Sequence, residues 1–301
     1  SFIIMNILIT GANGFLGKAL LQHYSKPGNT VLGLNSKTYI LYKHEKLEKG
    51  NYDSFFDLDI KDYDIAYHFG WSGTTGRDER SNWELQLDNV KFTMKFYQFC
   101  CEQNVKKFIY SASVYENEVI NDLFFPENPK INVLTNVYGA AKISTNIFLN
   151  AIRNDKLPIS IIRISNIYGI GSNNNRFINF VLKNIHDNNP MELSSGNQLY
   201  DFLYIDDAVE AISLIGEKGL PNKSYNLASG EARKLREYLI EIFKYFKIEN
   251  YMSYFGKIGV NGKPLENKML DITSLKLDFG YSPKIKFIDG VNKLYKNLYN
   301  D

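Results

Sequence analysis

The sequence predicts an α/β fold: a doubly wound parallel sheet followed by a smaller C-terminal lobe. Three observations point there. Short apolar runs alternate with helical stretches through the first half of the chain. A glycine-spaced turn joins the first run to the first helical stretch. The alternation breaks down after about Ser165, which is where a different architecture is expected to begin.

The elements follow in order. Met5 to Thr10 is a short apolar run, as a strand buried on both faces requires. A helical pattern runs from about Gly14 to Tyr24. Val31–Leu34, Ile65–Phe69, Lys107–Tyr110 and Ile159–Ile164 are further strand candidates. Helical stretches lie between them at about Trp83–Gln103 and Tyr138–Arg153. The expected organisation is a dinucleotide-binding Rossmann domain over 1–165 that receives a returning segment at about 197–218, with 166–301 forming mainly a substrate-binding lobe.

Composition excludes several classes. With 35 basic and 33 acidic residues among 301, the net charge of +2 gives no footprint for nucleic acid. Hydrophobic residues make up 44% of the chain, too many for a disordered one. Both cysteines sit together at Cys100 and Cys101 on a predicted helix, so packing in a reducing compartment is expected. No run reaches the roughly 18 apolar residues of a membrane span, and no secretory pattern opens the chain. A cytoplasmic protein is expected. No His/Cys/Asp group has metal-ligand spacing, and His68, inside a strand, reads as a core residue.

Gly11-Ala12-Asn13-Gly14-Phe15-Leu16-Gly17 closes the first strand and opens the first helix. Glycines there permit a tight turn and close approach to a pyrophosphate, which the helix N-terminus attracts. An acid at the end of the second strand would select NAD by binding the ribose hydroxyls. Here Asn35, Ser36 and Lys37 stand there, and neutral donors beside a cation favour NADP, with NAD as the alternative.

Tyr138 and Lys142 are four residues apart, hence on one helix face. A lysine ammonium stabilises a phenolate, which lets tyrosine exchange protons near neutrality. Ser111 ends a central strand, where a hydroxyl faces the ligand crevice of such a sheet and can polarise a carbonyl. The loop Gly70–Arg77 after Phe69 is expected to border nicotinamide and sugar, with Trp71 and Ser72 shaping the pocket.

Together these motifs resemble the extended short-chain dehydrogenase/reductase family, the NAD-dependent epimerase/dehydratase group that acts largely on nucleotide sugars. The similarity spans nearly the whole chain. It includes Asn89, the Arg163–Gly169 segment, Asp201–Asp207 and the closing Gly280–Lys284. It implies Ser111 as hydroxyl donor, Tyr138 as acid–base and Lys142 as activator and ribose ligand. It also implies Phe69, Gly70 and Asn89 at the cofactor, Ser113 and Asn166 at the sugar nucleotide, and a homodimer through the two long helices.

Departures narrow the reaction. Dehydratases of this family carry an Asp-Glu pair directly after the catalytic hydroxyl, where this chain has Ala112 and Ser113. The 3,5-epimerase/reductases carry a Cys where Ser113 stands. Leu193–Phe202 is similar to the CDP-paratose and CDP-abequose synthase subfamily of 4-ketoreductases. Tyr200 replaces an arginine common in the family, so the diphosphate is expected at Lys263, Arg176 or Arg233. The leading expectation is NADPH-dependent reduction of a 4-keto nucleotide-diphosphate sugar. The alternatives are an NAD-dependent 4-epimerase and a non-catalytic dinucleotide sensor.

Overall fold

The structure is a computed structural model that describes residues 4–43, 46–51, 53–58, 61–74, 76–114, 116, 133–173, 176–260 and 265–299. Lys263 lies outside the described residues. The chain divides into two compact units, 1–163 with 211–225, and 164–210 with 226–301.

The first unit is built on an eight-stranded sheet. In chain order its elements are β1 (Asn6–Thr10), α1 (Phe15–Tyr24), β2 (Thr30–Leu34), β3 (Thr38–Lys43), β4 (Lys46–Asn51) and β5 (Ile65–His68). Then come α2 (Arg77–Ser81), α3 (Trp83–Glu102), β6 (Phe108–Ser113), α4 (Val133–Ile152) and β7 (Ile159–Ile164). The strand order is β11-β7-β6-β5-β1-β2-β3-β4, with β11 at Ser224–Leu227. β2, β1, β5 and β6 run parallel, in the registers Leu8↔Leu32, Leu8↔Ala66 and Tyr67↔Ile109.

Ile7, Leu8 and Ile9 are fully buried, as are Ala66, Tyr67, Phe108 and Tyr110. That is why these strands read as continuous apolar runs and not as alternating ones. Helix α1 lies close on β2: a Cβ on Gly33 would sit 2.6 Å from the Ala12 Cβ and 2.8 Å from Leu21 Cδ1. The long helices α3 and α4 pack on one another. Phe96, Tyr97 and Cys100 of α3 and Leu149 of α4 join the core with Phe108 and Ile159.

The sheet is mixed, not purely parallel, because β3 and β4 form an antiparallel hairpin on β2. The sequence reading has no strand at 38–51. For β4 the physical reason is its sequence Lys-Leu-Glu-Lys-Gly-Asn, the charged composition that keeps an edge strand from pairing with other chains; β3, Thr-Tyr-Ile-Leu-Tyr-Lys, is rich in strand formers and only half-buried.

The second unit contains β8 (Asn166–Tyr168), α5 (Phe177–His186), β9 (Leu199–Tyr200), β10 (Phe202–Tyr204), the start of α6 (Ile205–Lys218), β12 (Arg233–Lys234), α7 (Leu235–Tyr245), α8 (Thr273–Phe279) and α9 (Phe287–Tyr299). β8 and β10 pair parallel, and β9 and β12 pair antiparallel. An aromatic group fills its centre: Phe287 lies 5.4 Å from Phe202, 4.6 Å from Tyr238 and 5.5 Å from Tyr168, centroid to centroid. Two sequence motifs meet here for structural reasons. The buried Asp207 carboxylate accepts the backbone N–H groups of Lys284 at 3.0 Å and Ile285 at 2.9 Å, and the Tyr281 hydroxyl donates to the Asp207 carbonyl at 2.9 Å. Asp201 is likewise buried, accepting from Ser229 N at 2.8 Å, Ser229 Oγ at 2.6 Å and Ser165 Oγ at 3.2 Å.

Candidate active site

The glycine turn is closed by backbone contacts. Gly11 has φ +70°, and a Cβ there would lie 2.8 Å from Gly70 N and the Phe69 carbonyl carbon. A Cβ on Gly17 would run into the Gly11 carbonyl oxygen and lie 2.7 Å from its carbon. Gly14 caps α1 without any side-chain hydrogen bond, and no acid occupies the first turn, which contains Phe15, Leu16 and Gly17. Asn13 is exposed beside it. A backbone-lined helix N-terminus that no side chain of its own neutralises fits the pyrophosphate of a dinucleotide.

Thr10, one residue before Gly11, starts a buried chain of hydrogen bonds. The Gly70 amide donates to Thr10 Oγ1 at 2.9 Å. Thr10 Oγ1 and His68 Nδ1 are 2.6 Å apart, and His68 Nε2 and Thr93 Oγ1 are 2.8 Å apart. Thr93 Oγ1 donates to the Asn89 carbonyl at 2.8 Å. Its proton being spent, Thr93 accepts from His68 Nε2–H, and Nδ1 accepts from Thr10; the neutral Nε2–H tautomer follows. Burial pushes the imidazole down to about 3, helped by the Lys142 charge. His68 is a satisfied core residue that ties the turn to α3.

The loop after β5 is clamped from α3. Asn89 accepts from Ser72 N and donates to Ser72 O, both at 2.9 Å. Gln86, which the sequence reading does not single out, accepts from Trp71 Nε1 at 2.8 Å and donates to Gly73 O at 3.2 Å. Both side chains are therefore engaged with protein groups, and both hold Trp71 and Ser72 in place.

At the end of β2 the sequence expectation changes in detail. The Asn35 carboxamide forms a local turn: Oδ1 accepts from Lys37 N and Thr38 N at 3.0 Å, and Nδ2 donates to Thr38 Oγ1 at 3.0 Å. Asn35 thus shapes the β2–β3 connection, and Ser36 and Lys37 are the exposed groups beside it.

Ser111, Ser113, Tyr138 and Lys142 are all buried, the first pair on β6 and the second on α4. Lys142 Nζ donates to the Ser111 carbonyl at 2.8 Å, linking strand to helix. Its ammonium sits 3.7 Å from the Trp71 ring centroid, 5.2 Å from that of Tyr110 and 5.9 Å from that of Tyr138. Trp71 meets Tyr138 edge-on at 6.3 Å, and the Arg80 guanidinium stacks over Tyr138 at 4.5 Å. Burial pulls the Lys142 ammonium down to about 7, while the Glu116 carboxyl pulls the other way. A lysine titrating near neutrality beside a tyrosine is suited to proton exchange. Arg80 and Glu116 carry no motif spacing that a sequence reading could use.

The second unit holds Asn166, Arg176 and Tyr200. Asn166 Nδ2 is buried without a hydrogen-bond partner. Arg176 caps α5 and donates to the Ile167 carbonyl at 3.4 Å. Tyr200 pairs across β9–β12 with Arg233, whose guanidinium is held 2.8 Å from the Glu241 carboxylate and stacks over Tyr238 at 4.0 Å. Cys100 and Cys101 are free thiols, and burial pushes both upward. Among the described residues no helix is long and apolar enough to cross a membrane, and no cluster of metal-ligating side chains occurs.

Relatives and solved structures share this architecture. The dTDP-4-dehydro-6-deoxyglucose reductase of Escherichia coli is 25% identical, over 97% of this chain and 97% of that protein. The human dTDP-D-glucose 4,6-dehydratase is 26% identical, over 95% of this chain and 88% of its own length. The UDP-N-acetylglucosamine 4-epimerase from Methanobrevibacter ruminantium M1, solved with UDP-N-acetylmuramic acid, superposes with a TM-score of 0.74 at 20% identity and 99% coverage of both chains. The dTDP-glucose 4,6-dehydratase DesIV from Streptomyces venezuelae, solved with NAD and TYD, gives a TM-score of 0.74 at 19% identity and 98% coverage of both. The NAD dependent epimerase/dehydratase family matches residues 7–228. With its glycine turn, mixed Rossmann sheet and Ser-Tyr-Lys set in that span, the chain belongs to the NAD dependent epimerase/dehydratase family.

Proposed function

We propose that the protein is a nucleotide-sugar 4-ketoreductase that uses NADPH. The observation that carries this reading is the make-up of the segment after Ser111. Ala112 and Ser113 bring no carboxylate there, and Glu116 is buried and ion-paired to Arg163. Abstraction of a carbon-bound proton, the step that a dehydratase adds to hydride transfer, has no unpaired carboxylate base among the described residues of that segment. The E. coli relative named a reductase supports the same reading.

Bound dinucleotide supplies the hydride. The Tyr138 hydroxyl donates a proton to the oxygen of the carbonyl being reduced, and the Ser111 hydroxyl polarises that oxygen by a hydrogen bond. Lys142 stabilises the tyrosinate left behind, and Trp71 gives the ammonium an aromatic face that needs no water. Water then returns the proton to Tyr138. Gly11, Gly14 and Gly17 admit the pyrophosphate. Ser36 and Lys37 receive the 2′-phosphate, and Asn35 holds the turn that presents them. Asn166, Arg176 and Lys263 are assigned to the sugar nucleotide, since Arg233 is engaged by Glu241. Trp83, Leu87, Ile147, Phe148 and Ile152 form exposed apolar surface on α3 and α4, suited to a homodimer through these helices.

One observation favours a second reading, an NAD-dependent 4-epimerase: Asn35 spends its side chain on the turn and leaves a 2′-phosphate with fewer ligands. The deciding experiment denatures the purified protein, identifies any released nucleotide, and follows NADPH oxidation against dTDP-4-dehydro-6-deoxyglucose and other 4-keto sugar nucleotides. Turnover with no retained nucleotide supports the reductase; retained NAD without NADPH oxidation overturns it. Tyr138→Phe should lower kcat by about 10²–10⁴-fold with dinucleotide binding unchanged.

A further inference from the structure

Glu116 lies three residues past Ser113, almost completely buried, and the proposed mechanism leaves it without a role. Its Oε2 sits 3.7 Å from Arg163 Nε of β7 and accepts from Asn146 Nδ2 of α4 at 3.4 Å. Asn146 is one helical turn beyond Lys142. The other carboxyl oxygen, Oε1, is buried with no hydrogen-bond partner. A half-satisfied buried carboxyl is costly, so a stabilising contribution elsewhere is expected. Lys142, one helical turn before Asn146 on α4, is a buried cation whose Nζ has the Ser111 carbonyl as its hydrogen-bond acceptor and aromatic faces around it.

We propose that Glu116 is a positioning residue for the reaction: its buried carboxylate keeps Lys142 in the ammonium form and so sets the pH range in which Tyr138 exchanges its proton. The proposal rests on the reading of Lys142 as the activator of Tyr138. The carboxylate acts through space, because its ion pair is with Arg163. Each member of the pair favours the other's charged form. Burial alone drives Lys142 down and Glu116 up, and each opposes the other's shift, with Arg163, Asn146 and the Ser113 backbone also favouring the Glu116 anion. The other titratable groups facing the pair are the Tyr110 and Tyr138 phenols and the neutral His68, with Arg80 over the Tyr138 ring. Lys142 thereby keeps part of its ammonium form at neutral pH and most of it just below, where a phenolate needs its counter-charge.

The test reads Lys142 directly. Lysine labelled with ¹³C at Cε is incorporated into the full chain, and the Lys142 signal is identified as the one lost in Lys142→Met. Titration from pH 5 to 10 is expected to place the midpoint at least one unit lower in Glu116→Gln than in the natural protein, with Glu116→Asp restoring most of the difference. An unchanged midpoint in Glu116→Gln overturns the proposal, as does a Glu116→Asp midpoint displaced as far as that of the Gln variant. Should the Gln variant not fold, reciprocity serves: with ¹³Cδ-labelled glutamate, the Glu116 midpoint must rise in Lys142→Met, and no rise is equally fatal. Inactivity of the natural protein on every 4-keto sugar nucleotide would sink the proposed reaction and leave these midpoints standing. Full turnover with unmoved midpoints would sink only the role of Glu116.

Discussion

Replacing Gly17 with alanine adds one methyl group where α1 crosses the turn that precedes it. The added carbon meets the Gly11 carbonyl oxygen and lies 2.7 Å from the carbonyl carbon and 3.1 Å from Ala12 Cα. All three are backbone atoms, so no rotamer change relieves the contact. Gly11 cannot retreat, because its own Cβ direction is closed at 2.8 Å by Phe69 and Gly70 at the end of β5. The helix must move instead, carrying its N-terminal amides away from the pyrophosphate position. Overpacking of this kind costs about 1–3 kcal/mol. In a chain of this size that lowers Tm by roughly 2 °C per kcal/mol, hence by roughly 2–6 °C. Dinucleotide Kd should weaken about tenfold or more, since even ~1.4 kcal/mol of lost contact is a factor of ten. Calorimetry with and without NADP and NAD, alongside fluorescence titration, checks both. The control is Gly259→Ala, where nothing lies within 4 Å of the new Cβ and both readings should stay unchanged. If Gly17→Ala melts and binds like the natural protein, the turn is not the tight cradle described.

Lys142 is held down to about 7 against about 10.4 for an unfolded lysine, so the native state sheds its proton first. Below pH 7 both states are protonated and the burial penalty on the ammonium is fully present; between 7 and about 10.4 the unfolded state binds more protons and stability rises with pH. Lys142→Met should therefore gain stability relative to the natural protein most below pH 7, the difference shrinking toward pH 10, as melting across that range would reveal; a pH-independent difference would contradict the assignment. Lys37→Glu should move the ratio of kcat/KM for NADPH over NADH toward NADH by about tenfold or more, because a carboxylate repels a 2′-phosphate; an unmoved ratio would separate this residue from cofactor choice. Ile147→Glu places a charge in the exposed apolar surface of α4 and should shift sedimentation from dimer to monomer; a monomeric natural protein would refute the dimer.

The strands at Ile65–His68 and Ile159–Ile164 were readable because burial on both faces leaves few polar positions to obscure the run, His68 in the first and Ser160 and Arg163 in the second. In the β3–β4 hairpin edge chemistry hides only β4, where Lys46, Glu48 and Lys49 protect a strand and also disguise it; Tyr39, Ile40, Leu41 and Tyr42 of β3 are strand formers and were legible as such. The same asymmetry governs the site. Tyr138 and Lys142 share a helix, so their spacing alone placed them together. Asn35 was legible as a polar residue at the right strand end, but its commitment to Thr38 depends on the side-chain geometry of the tight β2–β3 turn, which spacing does not specify. Gln86, Arg80 and Glu116 reach the site from three separate segments, and no spacing rule connects them to Ser111.

These late-found residues explain how the site is held without a metal cluster among the described residues. Helix α3 works as a ruler along the end of β5. Thr93 reads His68 and through it Thr10 and Gly70; Asn89 grips Ser72; Gln86 grips Trp71 and Gly73. Trp71 in turn offers its ring to Lys142, which bonds back to Ser111. The glycine turn and Lys142 are thus joined by one continuous path of contacts. A displacement of α3 would disturb both ends together. That makes the packing of α3 against α4 a determinant of the geometry around Trp71 and Lys142 as well as of stability, since orientation held on regular elements tolerates less error than orientation held on loops. If the exposed apolar faces of these helices also close a dimer, association would stiffen the element that sets the site.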